Sequence, residues 1–221
     1  MVDLRYFGHS CFEISVGGRM ILTDPWFGSE GRLIQPAVQL SSIKKADLIL
    51  ISHEHHDHCD PKAVEDLVER TLAQVVGPED ALGLLNINPR NKVSVLEGDS
   101  FSLMGIDLIV TKANHPQSSY PVGYIIQCEG KSVYFAGDTY DFYDMVNINV
   151  DLAIIPIGGT YTMDTFSAIK ALKTMKTRFV IPMHYGTFER IHADVEDFVR
   201  RVKKDTKVQP IQLALGEFVS V

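Results

Sequence analysis

Asp47-Leu48-Ile49-Leu50-Ile51-Ser52 runs directly into His53-Glu54-His55-His56-Asp57-His58-Cys59-Asp60-Pro61. The first six residues are a short apolar run of the kind that makes a buried strand. Asp60-Pro61 opens a helix, with Asp as N-cap and Pro at the first helical position. Ala63, Val64, Leu67 and Val68 give that helix an apolar face. Between strand and helix lie four histidines and three acidic residues, all metal ligands by type. On an extended segment, residues two apart project to the same side. His53 and His55 are therefore expected to grip one ion together. The turn before Pro61 aims Asp57 and His58 at a neighbouring position. His56 points away from its flanking ligands and is expected outside the site.

Working outward, Leu4–Phe7, Cys11–Val16 and Arg19–Thr23 read as strands, and Gly17-Gly18 is a hairpin turn. Pro25 to about Ser42 is a long stretch with little periodicity, of the sort that is functional or mobile in a compact domain. Further strands are expected at Ile106–Thr111, Val122–Cys128, Ser132–Ala136, Asp151–Ile155 and Arg178–Pro182, with helices near Thr165–Met175 and Asp194–Lys203. Lys207–Ile211 and Glu217–Val221 can close the sheet. Hairpins mixed with strand–helix units imply two sheets with helices outside. The 221 residues show no repeat or linker and read as a single domain, 1–221.

The net charge of −7 is mixed along the chain, with no basic run, so nothing favours a nucleic-acid partner. No apolar stretch approaches the roughly 20 residues that span a bilayer. The first residues lack the build of a signal peptide. Three cysteines at unrelated spacings are not a disulfide framework. The simplest expectation is a reduced, cytoplasmic protein with a small-molecule substrate. A homo-oligomer is compatible with the sequence. Cys11 and Cys128 lie in strand patterns and are expected in the core, with Cys59 packed near the site.

The His53-x-His55-x-Asp57-His58 core resembles that of the metallo-β-lactamase superfamily. Three later residues carry the resemblance further: His115 in Ala113-Asn114-His115-Pro116, Asp138 in Phe135-Ala136-Gly137-Asp138-Thr139, and His184 in Ile181-Pro182-Met183-His184-Tyr185-Gly186. Each follows an apolar, strand-like run. Gly8-His9-Ser10, Thr23-Asp24-Pro25-Trp26 and Met183-His184-Tyr185-Gly186-Thr187-Phe188 look like a branch of short metal-dependent hydrolases similar to the L-ascorbate 6-phosphate lactonases. The resemblance implies an α/β fold, a four-layer αβ/βα sandwich of two mixed sheets with helices on the outer faces. It implies His53, His55 and His115 at one divalent metal ion. Asp57, His58 and His184 would hold a second, with Asp138 bridging. Zinc suits these donors, and manganese or iron also fit.

Asp24 is expected to support the metal loop by hydrogen bonds rather than to touch a metal. His9 either lines the site or makes a structural hydrogen bond. Asp164 either flanks the substrate or caps a helix, and His192 is expected on the surface. The implied function is hydrolysis of a small ester, lactone or phosphoester by a metal-bound hydroxide, oriented by Asp57. The Gly-x-Ser-x-Gly nucleophile elbow is absent. Three alternatives stand beside this reading: a non-catalytic metal-binding scaffold, a di-iron redox protein, and a compact phosphodiesterase or nuclease. The di-iron relatives typically carry Glu at the position of His55 and an added flavin domain.

Overall fold

A computed structural model describes every residue from Met1 to Val221. The expected strand pattern appears as β1 (Asp3–Gly8), β2 (Cys11–Val16), β3 (Arg19–Thr23) and β4 (Leu48–Leu50). Gly17 and Gly18 both have positive φ, which only glycine adopts without strain, and they turn β2 tightly into β3. α1 (Pro61–Thr71) follows, with the Asp60 carboxylate accepting from the Ala63 amide. β5 (Gln74–Gly77), α2 (Glu79–Leu82), β6 (Lys92–Ser94) and β7 (Ser100–Leu103) come next. β8 (Ile106–Lys112), β9 (Val122–Cys128), β10 (Lys131–Phe135) and β11 (Asn149–Pro156) lead to α3 (Thr165–Thr174). β12 (Lys176–Met183), α4 (Val195–Asp205), β13 (Gln209–Pro210) and β14 (Phe218–Ser220) complete the chain.

Two seven-stranded sheets result, in the orders β14-β1-β2-β3-β4-β5-β6 and β13-β12-β11-β10-β9-β8-β7. Each is mixed. β14 through β3 pair antiparallel, and β3 through β6 pair parallel. The second sheet repeats the plan, parallel from β13 to β10 and antiparallel from β10 to β7.

Period-two alternation builds the layers. In β4, Leu48 and Leu50 join the large apolar cluster that also holds Tyr124, Tyr134 and Ile154 of the second sheet. Ile49 and Ile51 point the other way, into a smaller cluster with Val64, Leu67 and Val68 of α1. Leu172 of α3 and Phe198 of α4 cover the second sheet's far face. The result is the four-layer sandwich with helices outside. No helix is long and apolar enough to cross a membrane.

Cys128 is a correction. It is half-buried at the end of β9 rather than in the core, with its thiol 3.7 Å from the Gly105 carbonyl. The thiol sits where the Gly17 turn of the facing sheet approaches the end of β9, covered on that side and part-open on the other. Cys11 and Cys59 are buried as expected.

Asp47, before β4, ties two segments together. Its carboxylate accepts from the Met20 amide at 2.8 Å and from Arg19 at 3.1 Å, and Lys45 lies 3.2 Å away. Burial pushes this carboxyl up, but the amide and the two cations outweigh it and hold it below its ordinary value. Its contribution is therefore complete above ~pH 4, the range where the unfolded carboxyl ionises, and fades as pH falls through the lowered native value. Asp47→Asn should cost about 1–2 kcal/mol at pH 7 and progressively less towards pH 3, read by urea unfolding at both pH values. An equal cost at both would remove the charge from the explanation.

Candidate metal centre

Six strands deliver the site, three from each sheet, and within each sheet the three run in one direction. β1 and β3 are each antiparallel to β2, and β4 is parallel to β3. β8 and β10 flank β9 antiparallel, and β12 is parallel to β10 through β11. His9, Asp24, His53, His115, Asp138 and His184 each follow the C-terminal end of one of these strands. In such sheets the loops beyond the carboxyl ends of the strands form the binding crevice. Here two sheets contribute to one crevice.

His53 Nε2 lies 3.0 Å from His55 Nδ1, and His115 Nε2 lies 3.3 Å from the same atom. His58 Nε2 is 3.3 Å from Asp138 Oδ1, and His184 Nε2 is 3.0 Å from Asp138 Oδ2. Asp57 Oδ2 is 3.8 Å from His58 Nε2 and 3.9 Å from His184 Nε2. The seven sequence-expected residues thus converge on two adjoining groups, and Asp138 lies between them. His56 is exposed and stands at the cavity's edge, while His192 lies on the surface.

Their outer atoms are already engaged. His55 Nε2 donates to the Gln117 carbonyl at 3.1 Å, and His115 Nδ1 to the Tyr161 carbonyl at 3.1 Å. His58 Nδ1 donates to Asp24 Oδ2 at 2.6 Å. His53 Nδ1 meets Ser52 Oγ at 2.9 Å, and that hydroxyl donates onward to Asp24 Oδ2 at 2.6 Å. These contacts assign the tautomers, because a proton on each outer nitrogen leaves the inner nitrogen bare. Three bare imidazole nitrogens facing one another repel unless something positive lies among them.

The second group shows the same need. His58 Nε2, Asp138 Oδ1 and both ring nitrogens of His184 are buried without a hydrogen-bond partner. The short His–Asp138 separations are angled away from hydrogen bonding, as two ligands of one ion would be. Buried polar groups almost always find partners, so this cluster of orphans calls for an explanation. Divalent cations fit. Nitrogen and oxygen donors without thiolate provide the coordination, and each ring but His184 has the outer partner typical of a ligating histidine.

His9 is fully buried beside this group. Burial, followed by the neighbouring His184, pushes its pKa down to about 3, so the ring is neutral. Its Nε2 faces Asp57 Oδ2 at 3.1 Å and donates to it, while Nδ1 accepts from the Thr187 hydroxyl at 2.5 Å. Asp57 stays ionised. Burial works against the charge, but His58 and the His9 bond outweigh it and hold the carboxyl well below its usual range. Asp24 uses both oxygens on Ser52 and His58 and is 0 % exposed.

The backbone around these residues is unusual. His9, Asp24 and His184 all have positive φ, at 60°, 37° and 56°, a conformation that costs a non-glycine residue energy. Packing enforces it. The His184 amide donates to the His9 carbonyl at 3.0 Å. Gly158 lies so close that a Cβ there would sit 2.1 Å from the His184 carbonyl oxygen. Such strain concentrated at one crevice is characteristic of functional sites.

Ser52, Thr187 and the carbonyls of Gln117 and Tyr161 are the partners that sequence reasoning missed. Backbone carbonyls carry no residue signal, and Thr187 lies in a quoted motif but had no assigned role. Asp164 caps α3 through Ser167 and does not line the cavity. Trp26, Tyr120 and Tyr185 do not line it either. Trp26 instead stacks on Phe188 with ring centroids 5.2 Å apart.

Above the cluster lies a cavity of about 680 Å³. Gly31 and Leu33, Gln117, Tyr161 and the segment Phe188–Ile191 wall it.

Residues 3–184 match the β-lactamase superfamily domain. A UPF0173 metal-dependent hydrolase of Thermococcus onnurineus is 36% identical over all of both chains. One from Thermofilum pendens is 35% identical over 99% of each. The solved structure of Igni18, a metallo hydrolase from the hyperthermophilic archaeon Ignicoccus hospitalis, is 32% identical, with a TM-score of 0.86. It covers 99% of this chain and 97% of its own. Sequence and fold agree, and the chain belongs to the β-lactamase superfamily domain family, within it to the metal-dependent hydrolases.

Proposed function

We propose that this protein hydrolyses a small ester, lactone or phosphoester with two divalent cations, zinc in the first instance. His53, His55 and His115 would hold one. Asp57, His58 and His184 would hold the other, with Asp138 shared. The observation that carries this reading is the set of bare, buried donor atoms gathered beneath a single cavity, with the His53, His55, His58 and His115 rings turned inward by their outer hydrogen bonds.

Cations bound there would supply a nucleophile at neutral pH and polarise the scissile group. The protein's own residues do the rest. Asp57 is held on one oxygen by His9, and its ionised carboxylate accepts a hydrogen bond from the attacking water and orients it. Asp24 and Ser52 fix the rings of His58 and His53. No side-chain nucleophile is required. Burial pushes the Cys59 thiol up to about 12, and it donates to the Ala81 carbonyl, away from the chemistry. A walled cavity of this size suits a small molecule, and the acidic net charge gives no reason to invoke a nucleic acid.

Turnover of chromogenic lactones and phosphodiesters by the purified protein tests this. Chelation should abolish it, and zinc or manganese should restore it. Turnover that survives complete metal removal, or none from fully loaded protein, would overturn the proposal.

A further inference from the structure

Arg190 lines the cavity that contains the metal cluster, and its guanidinium has no carboxylate partner. That is notable in a chain with 28 acidic and 21 basic residues, and with Glu189 beside it on the same wall. Its position is built. The Arg190 carbonyl accepts from Thr160 Oγ1 at 2.6 Å, and the adjoining loop closes on itself through the Gly186 amide and the Ile191 carbonyl at 2.6 Å. Arg190 Nη1 donates to the Tyr161 hydroxyl at 3.3 Å. The carbonyl of the same Tyr161 orients His115. One residue therefore sets both a metal-facing imidazole and the cation on the wall, about a tyrosine side chain apart. Leu33, Phe188 and Ile191 supply apolar surface on the same walls.

We infer that Arg190 is a specificity residue for an anionic group on the substrate, a carboxylate or a phosphate, joined by a short apolar spacer to the bond that is cut. This rests on the hydrolase reading of the same site and names its substrate class. A planar guanidinium presents paired N–H donors that match either anion. Its side-chain contact, the Tyr161 phenol, uses only one of its five N–H groups. An arginine serving only to brace Tyr161 would show no dependence on ligand charge.

Binding tests this independently of turnover. The metal-loaded protein is titrated calorimetrically with butyramide, glutaric acid monoamide and 4-phosphonobutyramide. The wild type should bind the anionic amides about tenfold more tightly than the neutral one. Arg190→Gln should lose that preference and leave butyramide binding unchanged. Arg190→Lys should keep part of it. The anion whose binding falls more in Arg190→Gln identifies the substrate's charged group. Melting temperatures matching the wild type establish that both variants are folded, as expected for an exposed side chain. Anion preference retained in Arg190→Gln, or no preference in the wild type, overturns the inference. The p-nitrophenyl esters of butyrate and glutarate, assayed in parallel, report separately on hydrolysis.

Discussion

Asp138→Ala should strip the protein of bound metal and of activity together. Asp138 is 3 % exposed and follows β10 into the centre of the crevice. It stands close to both groups. Oδ1 is 3.3 Å from His58, and Oδ2 is 3.0 Å from His184 and 3.9 Å from His115. Burial alone would neutralise it, but His184 and His58 hold its carboxyl well below the usual range, so it enters the site as a charge. Removing it takes away the buried carboxylate that faces His58, His184 and His115. Loss of a residue that merely supports a ligand costs ~10–100-fold in affinity or activity. A shared ligand should exceed that range. Elemental analysis of the purified variant beside kcat/KM checks it. Full metal content in Asp138→Ala would remove this residue from the ligand set.

Asp24→Ala should damage fold and metal site through a different route. Asp24 acts from behind the ligands, on His58 and Ser52. Its oxygens receive the Ser52 amide at 2.7 Å, the Ser52 hydroxyl at 2.6 Å and His58 Nδ1 at 2.6 Å, all fully buried. Replacing it leaves a buried imidazole N–H and a buried amide unpaired. Each buried donor left unpaired costs about 1–3 kcal/mol, or roughly 2–6 kcal/mol for the two. For a chain of this length that amounts to roughly a 10 °C fall in Tm, at ~2–4 °C per kcal/mol. With the His58 ring free to turn, metal affinity should fall by ~10–100-fold. Thermal unfolding with and without metal separates the two effects, because the stability loss should persist in metal-free protein. A wild-type Tm together with wild-type metal affinity would mean that Asp24 positions nothing.

Much of this was legible in the chain, for physical reasons that differ by region. The strand before His53 is buried on both faces, so its apolar run stands out, and the ligands crowd behind it. α1 announced itself through Asp60-Pro61 and an amphipathic face. β5, β6 and β7 did not. Each is only three or four residues long, too short for periodicity to separate it from loop, even in β7 where Ser100-Phe101-Ser102-Leu103 alternates. Their places come from parallel pairing onto β4 and from the hairpin with β8, both long-range events.

At the site, residue type revealed the inward-facing donors but not the atoms behind them. His55 and His115 lean on carbonyls of Gln117 and Tyr161, and any residue type supplies a carbonyl. His9 had two readings in the sequence. Its burial and the contacts to Asp57 and Thr187 make it a positioning residue. Arg190 was silent, because only folding brings its loop beside Tyr161.

The central claim is that seven imidazole and carboxylate groups hold a pair of cations. Anomalous scattering from crystals grown with the native metals tests it most directly. Two peaks are expected, one among His53, His55 and His115 and one among Asp57, His58 and His184, with Asp138 reaching both. A single peak, or metal bound away from these residues, would contradict the account.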